Sequence, residues 1–300
     1  MVKTLEYQDA SPLLDDVETL RRQFDEDGFA CFRGLLPSTA VIELRRLVLE
    51  IFAHRGWLAS GTELIDGIVD ESINQAESFA SNGADQAAYQ AVYRLEEFHR
   101  LAHHPAIVDL FEKLFGETVF VHPRNIARLM APHKDTAHTP PHQDFIYVQG
   151  TRATYTCWFA LGECPRDLGG LSVMRSTHKE DILPVRDAEG AGGRTVIIDD
   201  LAREWVEGDL QTGDVVIFHS QTVRRSLPNT TKDRIRLSCD FRYQPLSLPV
   251  EKKSLEPHVD LITWEEAYAG WTSDDLKYYW RDLDLVQTEF DMDLLNPHEE

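Results

Sequence analysis

His142 and Asp144 stand two positions apart in Thr139-Pro140-Pro141-His142-Gln143-Asp144, immediately before the apolar run Phe145-Ile146-Tyr147-Val148. On an extended chain, residues i and i+2 point to the same side. An imidazole nitrogen and a carboxylate oxygen could then meet on one divalent ion, so the tripeptide is a candidate chelate. The spacing alone is weakly specific, because a histidine beside a strand is more often structural. His133 and His138 flank the segment as alternative ligands, although Pro132 and Pro140 read as loop residues. His178, before Lys179 in a turn, reads as a structural contact, and His103-His104-Pro105 as a surface helix break. No glycine-rich phosphate loop, Ser-His-Asp ordering or dinucleotide fingerprint occurs, and Gly190 to Gly193 reads as a hairpin loop.

The elements that must hold this pair fall into two textures. Leu13, Leu14, Val17, Leu20 and Phe24 recur at helical intervals, and Asp27-Gly28 then supplies a turn before the short strand Phe29 to Phe32. Ser38 is placed to cap a second helix through Val41, Leu44, Leu47, Val48 and Ile51, with Arg45-Arg46 on its solvent side. A further helical layer is predicted from about Gln86 to Phe115, broken near Pro105. The stretch Ser60 to Asn82 has no clear period and reads as a long loop or lid. From Thr118 onward, eight short apolar runs are predicted as strands: Val119 to Val121, Ala127 to Met130, Phe145 to Val148, Tyr155 to Leu161, Leu171 to Met174, Thr195 to Ile198, Val215 to Phe218 and Ile235 to Phe241. Eight such segments suit a jelly roll. Ile262 to Trp280 reads as a helix packed back on it. One domain is expected over residues 1–300: a helical part at about 12–115, a double-stranded β-helix core at about 117–245 and a helical tail at about 255–285.

Composition narrows the function classes. With 42% hydrophobic and 27% charged residues, the 300-residue chain has ordinary globular usage. A formal charge of −21 repels phosphate backbones and anionic headgroups, which argues against nucleic acid and membrane partners and biases the substrate towards neutral or cationic small molecules. Cys31, Cys157, Cys164 and Cys239 form no CxxC pair and read as reduced thiols. The start Met1-Val2-Lys3 turns acidic and polar, without the apolar stretch of a signal peptide, so a cytoplasmic location is expected.

The segment Trp158-Phe159-Ala160-Leu161 through Asp167-Leu168-Gly169-Gly170 to Ser176-Thr177-His178-Lys179 resembles the phytanoyl-CoA dioxygenase family. Phe24-Asp25-Glu26-Asp27-Gly28-Phe29 with Arg33-Gly34-Leu35-Leu36 is similar to that family's opening, and Gly213-Asp214-Val215-Val216-Ile217-Phe218-His219 to the strand leading to its last metal ligand. The resemblance spans roughly Phe24 to Tyr243 and implies a jelly-roll oxygenase in which two histidines and one carboxylate hold iron(II), leaving room for 2-oxoglutarate and dioxygen. It assigns His142 and Asp144 as ligands. It further implies that Trp158 lines the oxoacid pocket, and that an arginine on the strand Asp233 to Phe241 meets the distal carboxylate of 2-oxoglutarate. Arg234 and Arg236 share a face of that strand, and the register favours Arg234 while the Arg236-x-Ser238 pattern favours Arg236.

The family pattern breaks at one position: the distal histidine is replaced by Arg224, and a guanidinium cannot ligate a cation. Three readings follow. His219 is the third ligand; or iron is held by His142, Asp144 and water or 2-oxoglutarate; or Arg224 fills the metal pocket, pairs with Asp144 and makes the chain a metal-free family member or binding module. The first two make it an oxygenase of a small organic molecule, yielding succinate and carbon dioxide as co-products.

Overall fold

The computed structural model describes residues 4–70, 72, 86–132, 138–199 and 201–296. Helix α1 (Val17–Asp27) begins where the Asp16 carboxylate accepts from the Thr19 amide at 3.1 Å, and it ends at Gly28, whose φ of 80° is left-handed. A Cβ at Gly28 would also collide with the His178 imidazole, so the turn and the packing both require glycine. Helices α2 (Ser38–His54), α3 (Gln86–Tyr93), α4 (Glu96–Ala102) and α5 (Pro105–Phe115) complete the helical layer, which breaks at Leu95 as well as at Pro105. Ser38 is the first residue of α2, whose cap position is Pro37.

Strands are β1 (Thr4–Glu6), β2 (Phe29–Phe32), β3 (Val119–Val121), β4 (Ile126–Met130), β5 (Tyr155–Ala160), β6 (Leu171–Met174), β7 (Val185–Asp187), β8 (Arg194–Val196), β9 (Trp205–Glu207), β10 (Val215–His219), β11 (Arg224–Ser226) and β12 (Arg236–Pro245). A major sheet runs β2-β10-β5-β12-β3, with β4 also paired to β12; a minor sheet runs β1-β9-β6-β11. The mainly β, jelly-roll-type architecture is the one expected, and the two sheets remain separate hydrogen-bonded units instead of closing into a barrel.

Strand alternation then decides what faces what. On β12, Leu237, Cys239, Phe241 and Tyr243 join the apolar core shared with Phe98 and Phe111 of the helices. The alternate residues, Arg236, Ser238, Asp240, Arg242 and Gln244, are also buried and turn towards the space between the sheets. On β10, Val215 and Ile217 face the helical core, while Val216 and Phe218 pack with Trp158 between the sheets.

Four expectations are corrected. Phe145 to Val148 is no strand: Asp144–Ile146 form a 3-10 turn in which the Asp144 carbonyl accepts from the Tyr147 and Val148 amides, each at 2.9 Å, and the buried Ile146 satisfies the apolar run. Arg45 is buried, because its guanidinium donates to the Ile65, Leu161 and Asp66 carbonyls at 2.7, 2.9 and 3.1 Å. The helix expected from Leu13 starts at Val17, after a 3-10 turn at Ser11–Leu13. The C-terminal segment is helical only over Trp264–Ala267, with short 3-10 turns around it; its aromatic residues still pack against the helical core. Strands β1, β7, β9 and β11 were not anticipated. Of the expected lid, residues 71 and 73–82 lie outside the described residues, as does His133.

Candidate active site

His142 and Arg224 face each other directly across an antiparallel bridge: the His142 amide donates to the Arg224 carbonyl at 3.0 Å, and the Arg224 amide to the His142 carbonyl at 2.9 Å. Residues exchanging both backbone bonds present their side chains to the same face. The imidazole is fixed by Nδ1, 2.8 Å from the Pro140 carbonyl, which leaves Nε2 free to point at Asp144. Nε2 lies 3.3 Å from Asp144 Oδ1.

Asp144 is buried and crowded by donors. Arg224 Nε donates to Oδ1 at 2.8 Å, the Thr156 hydroxyl to Oδ2 at 2.6 Å, and Arg242 Nη2 reaches Oδ2 at 3.5 Å. Burial by itself raises the Asp144 carboxyl; the Arg224 guanidinium, with Arg242 behind it, brings it well below the usual carboxylate range. The same burial, with Arg224 nearby, lowers His142, so the ring is neutral and its Nε2 lone pair is available. Arg224 is held charged: desolvation opposes this, and Asp144 and Asp240 overcome it. Its guanidinium also stacks over Phe218 at 5.1 Å.

His219 does not join them, and its expected role as third ligand is corrected. It follows Val215 and Ile217 on the helix-facing side of β10, with its ring 5.2 Å from Tyr155 and 5.6 Å from His178. Reaching His142 would require the opposite strand face. Burial, followed by His178 and Arg152, pushes His219 down to about 4. Among the described residues, no group of three or more His, Cys, Asp or Glu side chains converges in a way that could hold a metal.

Trp158 and Arg236 lie between the sheets, the guanidinium 6.0 Å above the indole; Arg236 also contacts the Ser238 hydroxyl and Met130 Sδ, the latter at 3.6 Å. Together with Arg128, Arg224 and Ser226 they line a cavity of only about 10 Å³. Arg234 is half-buried and does not line that cavity; its backbone bridges to Ile68. Of the two arginines, Arg236 is therefore the interior one. His178 makes the expected structural contact, 3.2 Å from the Asp25 carbonyl; His104 caps α5, and His103 is half-buried against Tyr279.

A cavity of about 320 Å³ opens on the other side of the His142-Asp144 pair. Its charged lining is Arg124, Arg128, Arg224, Arg242 and Lys253 against the single carboxylate of Asp144. The bias towards neutral or cationic substrates, taken from net charge, is thus corrected locally: an acidic surface encloses a cationic pocket. Sequence reasoning missed Arg128, Arg242 and Asp240; the alternation of charged residues along Arg236 to Gln244 was the available signal. A larger open groove of about 840 Å³ near Trp264 and Trp280 shares no residue with this cavity.

A jelly roll with an inward-facing His-x-Asp pair on a cavity wall is the framework of the non-haem iron, 2-oxoglutarate-dependent oxygenases. The chain belongs to the phytanoyl-CoA dioxygenase (PhyH) family of that class, whose model matches residues 24–238. It is 31% identical over 255 residues to the 1-deoxypentalenic acid 11-beta-hydroxylase of Streptomyces arenae, covering 81% of this chain and 86% of the relative. It is 24% identical over 231 residues to the peroxisomal phytanoyl-CoA dioxygenase of Homo sapiens, covering 74% and 67% respectively. Among solved structures, the epimerase SnoN in complex with Fe3+, alpha ketoglutarate and nogalamycin RO shares the fold with a TM-score of 0.57 at 20% identity, over 79% of this chain and 86% of that one.

The donor set fits that metal in two places out of three. Two donors at about 2.1 Å from an ion and at right angles lie roughly 3 Å apart. The 3.3 Å between His142 Nε2 and Asp144 Oδ1 suits such a bite. The third position, across the ladder from His142, holds a guanidinium that occupies the same Asp144 oxygen.

Proposed function

We propose that this chain oxidises a small organic molecule as an iron(II)- and 2-oxoglutarate-dependent oxygenase, with His142 and Asp144 as its two protein ligands. The observation that carries the reading is the inward convergence of His142 Nε2 and Asp144 Oδ1 on one cavity wall, within a chain of this family. When bound, iron with 2-oxoglutarate and dioxygen supplies the oxidising power to remove hydrogen from an unactivated C–H bond. The protein's own residues do the positioning. Thr156 holds Asp144 Oδ2, Pro140 fixes the His142 tautomer, and Arg236, with its guanidinium beside Trp158, would receive the distal carboxylate of the oxoacid. Arg224 competes with metal for Asp144 Oδ1, so the hold on iron depends on the oxoacid's own chelating oxygens more than in a three-ligand relative. Four buried, unpaired cysteines support a cytoplasmic location, and no helix among the described residues is long and apolar enough to cross a membrane.

The test is co-product chemistry. The purified chain, given iron(II), ascorbate and 2-oxoglutarate in air, should convert 2-oxoglutarate to succinate, and Asp144→Ala should not. Equal succinate from both would overturn the reading; none from either would point to a chain in which the Arg224-Asp144 pair has replaced the metal.

A further inference from the structure

Among the described residues, the space between the sheets contains Arg128, Arg224, Arg236 and Arg242 but two carboxylates, Asp144 and Asp240. Arg128 Nε pairs with Asp240 at 2.9 Å, and Arg224 Nε with Asp144 at 2.8 Å. Arg242 has no such tight partner. Its Nη2 makes the 3.5 Å contact to Asp144, and both Nε and Nη1 are buried without any hydrogen-bond acceptor. A buried guanidinium with unmet donors is costly, and native interiors rarely leave one so.

Arg242 lines the 320 Å³ cavity, as do Arg124 and Lys253, with Arg124 donating to the Lys253 carbonyl at 2.7 Å. The lining also carries the apolar side chains of Val148, Phe290, Met292 and Leu295. At about 320 Å³ the space is at the small end of small-molecule binding pockets.

We propose that this cavity binds a compact carboxylic acid, with its carboxylate on Arg242 and its hydrocarbon body against Phe290, Met292 and Leu295. The assignment deepens the oxygenase reading and rests on it for the claim that this acid is the substrate. A planar carboxylate matches the guanidinium fork, and the cationic lining concentrates such anions despite a chain charge of −21. Asp144 Oδ2 is 3.5 Å from Arg242 Nη2, so an acid anchored at Arg242 sits beside the His142-Asp144 pair.

Two acids could claim Arg242, the substrate or 2-oxoglutarate itself, and calorimetric titration of the full chain separates them. The probes are decanoate and its neutral match decanamide, each with and without saturating 2-oxoglutarate. Decanoate should bind about tenfold tighter than decanamide, Arg242→Gln should erase that preference, and 2-oxoglutarate should leave it intact. Equal binding of acid and amide, or displacement of decanoate by 2-oxoglutarate, overturns the proposal. If Arg242→Gln does not fold, Arg242→Lys keeps the buried charge but loses the fork, and an unreduced preference in that variant also overturns it. The readout needs neither iron nor turnover. Failed iron uptake therefore leaves this result standing, and a lost preference leaves the oxygenase reading standing.

Discussion

Asp144 accepts from Arg224, Arg242 and Thr156 in a volume where a metal would need one of the same lone pairs. Arg224 is thus a competitor at the position from which a third ligand would contribute. Replacing it with a ligating side chain both removes the competitor and supplies the donor. Arg224→His is expected to tighten iron(II) binding on the order of tenfold or more, measured by anaerobic titration. An unchanged affinity would mean that some other residue already completes the site. The anomaly at Arg224 was legible from its offset within a family-like motif, because β-register fixes which residue lies across from His142. The fate of His219 was not legible. Its residue type suited a ligand, but strand parity on β10 turns it towards Tyr155 and His178, and parity depends on which face the helices cover.

At the scale of elements, alternation and turn chemistry carried most of the prediction: β5, β6, β10 and β12 lie close to where their apolar runs place them. Failures arose where tertiary contacts outweighed local pattern. Phe145 to Val148 looks like a strand but packs as a turn, since Ile146 finds its apolar partners without ladder pairing. Arg45 sits at a position that helical periodicity leaves to solvent, yet three loop carbonyls draw it inward, binding α2 to the segment Ile65 to Gly67 and to the end of β5. Burial, then repulsion from Arg234, lowers Arg45 to about 10. Arg45→Met should cost about 2–4 kcal/mol, read by urea unfolding, because those carbonyls lose charged donors. A loss within experimental error would show that water replaces the guanidinium fully.

Across the whole molecule, the net charge of −21 described the surface and misdescribed the space between the sheets, where Arg128, Arg224, Arg236 and Arg242 gather around Asp144 and Asp240. Total composition cannot report such segregation; only the placement of Arg128, Arg224, Arg236 and Arg242 on inward strand faces does. Stability also carries a pH signature. Burial pushes His99 down to about 4 and His122 down to about 3, whereas an unfolded histidine titrates near 6.5. The unfolded chain therefore takes up protons first as pH falls, so the stabilisation is complete above about pH 6.5 and is lost below it, at roughly 1.4 kcal/mol per pH unit for each ring. The thermal midpoint should fall between about pH 7 and about pH 5; a flat profile would show these rings solvated. On the proposed reading, His142 and Asp144 hold iron even with Arg224 across from them. Metal analysis after anaerobic loading with iron(II) and 2-oxoglutarate tests it most directly: the intact chain should retain about one iron and Asp144→Ala essentially none. Retention of no iron by the intact chain, or equal retention by both, would contradict it.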